Sequence, residues 1–252
     1  MKKFALGIAM FFSLIFILTA CSNSQSTDER FISSLQQGLE SRWQQVDKFE
    51  GQAQGSTTAA WNTYIDSELN KISEFKDTTF ENQDLGNLAK EYIESLEKIK
   101  ENTNYIDTNY NMFTNKANQY ILNRLATLVK INEISPLEFN EKDKANFEGL
   151  LNEGKLAIAA EDIMKSADFQ PEPKEYEGSS WTTYSCIVEN TSDFTFKSFQ
   201  FNIDLLDNSG VIVDTVIANL ENWVPGTKQK ASFSTDVQFA EMEINNCTWY
   251  YQ

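Results

Sequence analysis

Ser198-Phe199-Gln200-Phe201-Asn202-Ile203-Asp204-Leu205 alternates polar and apolar side chains without a break. Successive side chains of a strand point to opposite faces, so this run reads as a β-strand with one buried face. Asp207-Asn208-Ser209-Gly210 follows as a tight turn, and Val211, Val213, Thr215 and Ile217 begin the return strand. Trp223-Val224-Pro225-Gly226 makes another turn, with Pro and Gly in the order of a type II turn. Ala231, Phe233, Thr235, Val237 and Phe239 alternate again. Met242-Glu243-Ile244 and Cys247-Thr248-Trp249-Tyr250-Tyr251 close the chain, and Trp181 to Val188 opens the series. Short strands with regular turns predict a β-sandwich or a small β-barrel.

Upstream the period changes. Between about Thr27 and Asp168 the apolar residues follow helical spacing. Ile32, Leu35, Leu39, Trp43 and Val46 form one stripe, started by Thr27 as a plausible N-cap before Asp28 and Glu29. Trp61, Ile65, Leu69, Ile72 and Phe75 form a second, and Leu85, Leu88, Tyr92, Leu96 and Ile99 a third. A fourth runs from Met112 to Leu128 and includes Arg124, and Pro136 ends it. A last helix is expected from about Glu141 to Lys165, weakened by Gly149 and Gly154. Such stripes are buried only against one another, so an antiparallel helical bundle is expected. Gln170-Pro171-Glu172-Pro173-Lys174-Glu175-Tyr176-Glu177-Gly178-Ser179-Ser180 reads as a linker.

A family pattern emerges in the β part. Val188-Glu189-Asn190-Thr191-Ser192 precedes Phe201-Asn202-Ile203-Asp204-Leu205-Leu206-Asp207-Asn208-Ser209-Gly210, and Pro225-Gly226 with an alternating strand comes after. This resembles the FxLYD-type immunoglobulin-like domain of bacterial exported lipoproteins, with Leu205-Leu206-Asp207 standing where that family has Leu-Tyr-Asp. The resemblance implies a β-sandwich on an exported protein and no chemistry of its own.

The other end of the chain fits export. Lys2 and Lys3 open an uncharged apolar run from Phe4 to Leu18, a signal-peptide layout shorter than the ~20 residues of a spanning helix. Leu18-Thr19-Ala20-Cys21 resembles the lipobox of bacterial lipoproteins. That resemblance implies diacylglycerol on Cys21, fatty chains such as palmitate, cleavage before Cys21, and anchoring on the outer face of a cell membrane. Each buried methylene contributes ~0.8 kcal/mol, so two or three acyl chains hold durably. Ser22-Asn23-Ser24-Gln25-Ser26-Thr27 is a polar, uncharged tether of a kind that suits a Gram-positive envelope.

The expected organisation is α+β and multi-domain. A signal peptide covers residues 1–20, a lipidated flexible tether 21–27, an antiparallel helical bundle 28–168, a linker 169–180 and an immunoglobulin-like β-sandwich 181–252. Cys186 and Cys247 remain once Cys21 is the anchor. An exported compartment permits a disulfide between them, worth ~4 kcal/mol on a chain-entropy argument, with two buried thiols as the alternative.

Composition narrows the chemistry. Lys and Arg number 21 against 37 Asp and Glu, a net charge of −16, and no His is present. A chain this acidic repels nucleic acid, and without His there is no His-based triad, metal site or pH switch. No phosphate-binding Gly motif appears, and Asp204, Asp207, Asn208 and Gly210 lack the spacing of a calcium loop. No cofactor and no metal are expected. Trp223, in a loop before Pro225, is the candidate for stacking on a ligand. The expected function is a non-catalytic cell-surface lipoprotein acting as a protein- or envelope-interaction module, not an enzyme. The alternative is a ligand-binding lipoprotein of the transport or sensing kind, its site between the two domains. A wall-active hydrolase using carboxylates is a third reading.

Overall fold

The chain enters its first helix through a side chain that caps it. In the computed structural model, which describes residues 25–174 and 176–252, helix α1 spans Thr27–Lys48. Ser26 Oγ accepts from the Glu29 amide, and the Glu29 carboxylate accepts from the Ser26 amide, each at 3.1 Å. Such a box needs an acid three residues after the cap, which is why Ser26 rather than Thr27 holds the position. The signal segment, the lipobox and Cys21 lie outside the described residues.

Helices α2 (Thr58–Ile72), α3 (Gln83–Asn102), α4 (Tyr110–Ile134) and α5 (Glu141–Ser166) follow. The polar breaks between them supply the caps: Thr57, Asn82, Asn109 and Asn140 each accept from an amide of the first turn. The apolar stripes meet in one core that includes Phe31, Leu35, Leu39, Ile65, Ile72, Leu85, Tyr92, Leu96, Leu128 and Ile131. Helix α4 lies so close to α5 that a Cβ on Gly154 would stand 2.4 Å from the Leu125 carbonyl oxygen and 2.6 Å from Val129 Cγ2. Gly154 therefore trades helix propensity for contact between helices.

The C-terminal region is built of two antiparallel sheets. Strands β1 (Gln170–Pro171), β2 (Thr182–Glu189) and β5 (Lys228–Thr235) form one, in the order β1-β2-β5. Strands β3 (Phe196–Leu206), β4 (Ile212–Trp223) and β6 (Glu241–Tyr251) form the other, in the order β4-β3-β6. Phe199, Phe201, Ile203 and Leu205 are buried, as their alternation requires. Both turns keep their chemistry. Gly210 and Gly226 have φ of +77° and +69°, and the Thr227 amide closes the second turn on the Val224 carbonyl. Asp207 Oδ1 accepts from the amides of Ser209 and Val211 and from the Ser209 hydroxyl.

Helix α5 serves both regions. Phe147 packs in the helical core, whereas Leu156, Ala160 and Ile163 pack with Phe196, Phe199 and Phe201 in the β core. Phe169 joins the β core directly after α5, and Gln170–Pro171 pairs with β2. Tyr251 ties the seam by donating to Glu153 Oε1 at 2.6 Å.

The expected disulfide is absent: Cys186 and Cys247 are free, buried thiols. The first and last long strands do not pair. Cys186 lies opposite Ala231 within the β1-β2-β5 sheet, while Cys247 lies opposite Phe201 in the other sheet. The two thiols that the sequence suggested as a pair therefore sit in different sheets, and they are not bonded.

Candidate functional site

Two clefts with polar and apolar walls lie at the seam between the helices and the β region, one by Val129, Ile158 and Phe194 and the other against β6. The free space of the cleft against β6 is about 50 Å³. Leu122 and Ala126 of α4, with Ala157, Ala160 and Met164 of α5, give it an apolar side, and Cys247 and Trp249 of β6 face them. Asn118, Gln119 and Asn123 line its helical wall and Asn246 its strand wall. The wall amides come from one face of α4 because positions three and four apart share a face. Gln119 donates to Asn123 Oδ1 at 2.9 Å.

The cleft is electrically quiet. Glu161, its acid, is paired with Lys165 at 2.6 Å. Burial pushes the Cys247 thiol up to about 12, and burial with the nearby Asp168 carboxylate pushes Cys186 up to about 11. Both thiols stay protonated at neutral pH and are poor nucleophiles. The arrangement suits holding a small uncharged group between amides and an apolar wall. Among the described residues no group of three or more acids and cysteines is placed to hold a metal ion, and no helix is long and apolar enough to cross a membrane.

Trp223 is placed elsewhere. It is 0% exposed, its ring packs against Phe196 and Phe199, and its Nε1 donates to the Thr227 carbonyl at 2.9 Å. No ring face is left for a ligand. The turn that follows it is exposed, but Trp223 itself is the last residue of β4 and points inward. Trp181, at 54% exposure, is the most exposed indole.

The strongest electrostatic feature is in the helical core. Glu68 of α2 is fully buried and accepts from Arg124 Nη2 of α4 at 2.8 and 2.9 Å, from Arg42 Nη1 of α1 at 3.2 Å and from the Tyr92 hydroxyl of α3. Arg124 also lies over the Tyr92 ring, 5.1 Å from its centroid. Burial by itself would raise the Glu68 carboxyl, but Arg124 and then Arg42 outweigh it and hold the group below the usual carboxylate range. Burial drives the Tyr92 hydroxyl well above its ordinary value. One anion thus binds four helices. Gly38 makes room for it, since a Cβ there would stand 3.3 Å from the Glu68 carbonyl oxygen. The signal in the sequence was a charge inside an apolar stripe: Arg124 among Ile121, Leu125 and Leu128, and Glu68 among Ile65, Leu69 and Ile72.

A neutral counterpart sits in the β region. Asn190 is fully buried. Its Nδ2 donates to the Phe194 and Trp223 carbonyls at 2.9 Å, and its Oδ1 accepts from the Ser192 amide and hydroxyl at 3.1 and 2.7 Å. Its backbone joins the Gly226–Thr227 turn. Compared with family models, with curated proteins and with solved structures, the chain matches none of them.

Proposed function

We propose that this chain is a lipid-anchored, extracytoplasmic binding protein that does no covalent chemistry. Its helical part is an antiparallel bundle, and its β part is an immunoglobulin-like sandwich of the FxLYD type. Together they work as a module for contact with a protein or an envelope component. The observation that carries this reading is the shortness of the tether. The capped helix α1 starts at Thr27, so only Ser22 to Ser26 separate the lipobox cysteine from the folded body. A chain of five residues reaches at most about 18 Å. Such a body is held against the bilayer, stiffened by the core that α5 shares between its two parts. The most buried acid, Glu68, supports the non-catalytic reading, because its oxygens are already occupied by Arg124, Arg42 and Tyr92.

Metabolic labelling with a fatty-acid probe tests the anchor. The wild-type chain should take up label and sediment with membranes, and Cys21→Ser should do neither. An unlabelled wild-type chain would sink the proposal. A second reading, a ligand-binding lipoprotein, would use the amide-rich seam cleft, whose free space of about 50 Å³ has to widen to admit more than a very small molecule. A small uncharged ligand that raises the melting temperature, and loses that effect in Ala160→Phe, would support it.

A further inference from the structure

Where β2 begins and β5 ends, the β core stops on hydroxyl groups instead of apolar side chains. Alternation puts Thr182, Tyr184, Cys186 and Val188 of β2 on the inward face, with Ala231, Phe233 and Thr235 of β5. The terminal pair in register is Thr182 with Thr235. Thr235 is 4% exposed, and its Oγ1 accepts from the Val237 amide at 3.1 Å. Its hydroxyl proton has no acceptor among the described residues, and the hydroxyls of Thr182 and Tyr184 have no partner there. A cleft of about 470 Å³ opens over these groups, a size within the range of small-molecule sites. Tyr184, Val237 and Phe239 give it an apolar corner, in which the Tyr184 ring is held by stacking on Phe233 at 5.3 Å. Ser180, Asp236 and Gln238 line the rest, with Lys174, whose Nζ donates to the Ser179 carbonyl at 2.8 Å. A groove of similar size beside Ile32, Leu85 and Ile134 differs in that its acids are already used. There Asp28 accepts from the Glu81 and Asn82 amides, and Glu29 closes the cap of α1.

We propose that the cleft between Thr182, Tyr184, Thr235 and Phe239 binds a small neutral saccharide. The site is separate from the seam clefts, and it goes beyond the envelope-contact reading without resting on the lipid anchor. Three features select the ligand class. The first is charge. Lys174 and Asp236 contribute one charge of each sign, so a phosphate or a polyamine would bring charge that the cleft does not balance. The second is hydrogen bonding. Ser180, Thr182, Tyr184, Thr235 and Gln238 carry neutral groups that both donate and accept. A sugar hydroxyl does the same, so each of these groups can be matched. A free amino acid gathers its donors at one end and its acceptors at the other, and leaves most of them unmatched. The third is the apolar corner. A pyranose carries a C–H face beside its rim of hydroxyls, as the cleft carries Tyr184 and Phe239 beside its polar wall. A wholly apolar ligand would instead strand Thr235 and Asp236 away from water without partners.

Hydrogen-exchange mass spectrometry of the full chain in detergent tests the site, with chitobiose, cellobiose, maltose and lactose as probes at millimolar concentration. With at least one of them, exchange should slow in the segments 180–184 and 235–239, about tenfold at about ten times the dissociation constant. Asp236→Ala with Gln238→Ala removes two exposed groups of the lining. It should abolish that protection with an unchanged melting curve. Tyr184→Phe deletes only a hydroxyl and should weaken binding while the fold is kept. Asn219→Ala, on the exposed face of β4, should bind as the wild-type chain does. Four disaccharides that leave both segments unprotected overturn the assignment. So does protection that survives the double substitution, or protection by free phenylalanine in place of the sugars. Fatty-acid labelling at Cys21 is read separately, so this site and the lipid anchor can each fail alone.

Discussion

The helical and β regions are each organised around one buried polar hub, and the hubs are chemically opposite. Glu68 joins α1, α2, α3 and α4 through charge-assisted hydrogen bonds. Asn190 joins the Ser192–Phe194 loop, the end of β4 and the Gly226 turn through neutral amide bonds. Both satisfy the rule that buried polar atoms must be paired. They differ in what happens when a partner is lost. A stranded amide leaves carbonyls unmet, whereas a stranded guanidinium leaves a buried charge. The helical half is therefore the brittle half, and it alone should respond to acid at its hub.

Glu68→Ala gives the sharpest test of that contrast. It leaves Arg124 and Arg42 without their anion, and a loss of about 3–5 kcal/mol is expected in urea denaturation. A loss below about 1 kcal/mol would mean that the network has no special weight. Asn190→Ala should cost less, about 3 kcal/mol for the unmet partners, and its cost should be the same at every pH. Acid separates the hubs further. The folded-state pKa of Glu68 lies below its unfolded value. Its contribution is thus complete above the ordinary carboxylate range and is lost as pH falls through the folded value. Amide exchange around Glu68 should accelerate in acid before exchange around Asn190 does, and the reverse order would break the comparison.

The smaller effects probe the seam and the thiols. Gly154→Ala drives a Cβ into α4 and should cost about 1–3 kcal/mol, while Gly149→Ala, with open space around it, should stabilise α5 by about 0.5–1 kcal/mol. Differential scanning calorimetry of the two variants gives the signs. Cys186 and Cys247 should be silent. Reductant should leave the melting temperature unchanged, and both thiols should react with a maleimide only after unfolding, because burial keeps them protonated and covered. A reductant-sensitive melt would reveal a cross-link that the free thiols of the structure lack.

Much of the architecture was legible because it is local. The stripes of Leu35, Leu39, Tyr92 and Leu96, the alternation of Phe199 to Leu205 and the Pro225-Gly226 turn all express backbone periods and φ preferences that a few neighbouring residues fix. The features that failed were those that depend on distance in space. Trp223 stands beside an exposed turn, yet its ring is inside. Cys186 and Cys247 mark the first and last long strands, yet those strands belong to different sheets. The partners of Glu68 come from three other helices, so only the anomaly of an acid in an apolar stripe hinted at them.

Local periodicity alone thus determined which segments are helices and which are strands, whereas the first cap fell on Ser26 and not on the Thr27 that the sequence suggested. It also supplied the lipobox reading of Cys21, which is a matter of motif and not of folding. Tertiary packing decided that α5 divides its length between two cores, that one carboxylate ties four helices, and that Val213 and Ile217 of β4 face outward while Ala218 and Leu220 face in. The physical reason is that a pattern tells a segment which side to hide but not what to hide it against. That choice is made by all the other segments competing to bury their own surfaces at once.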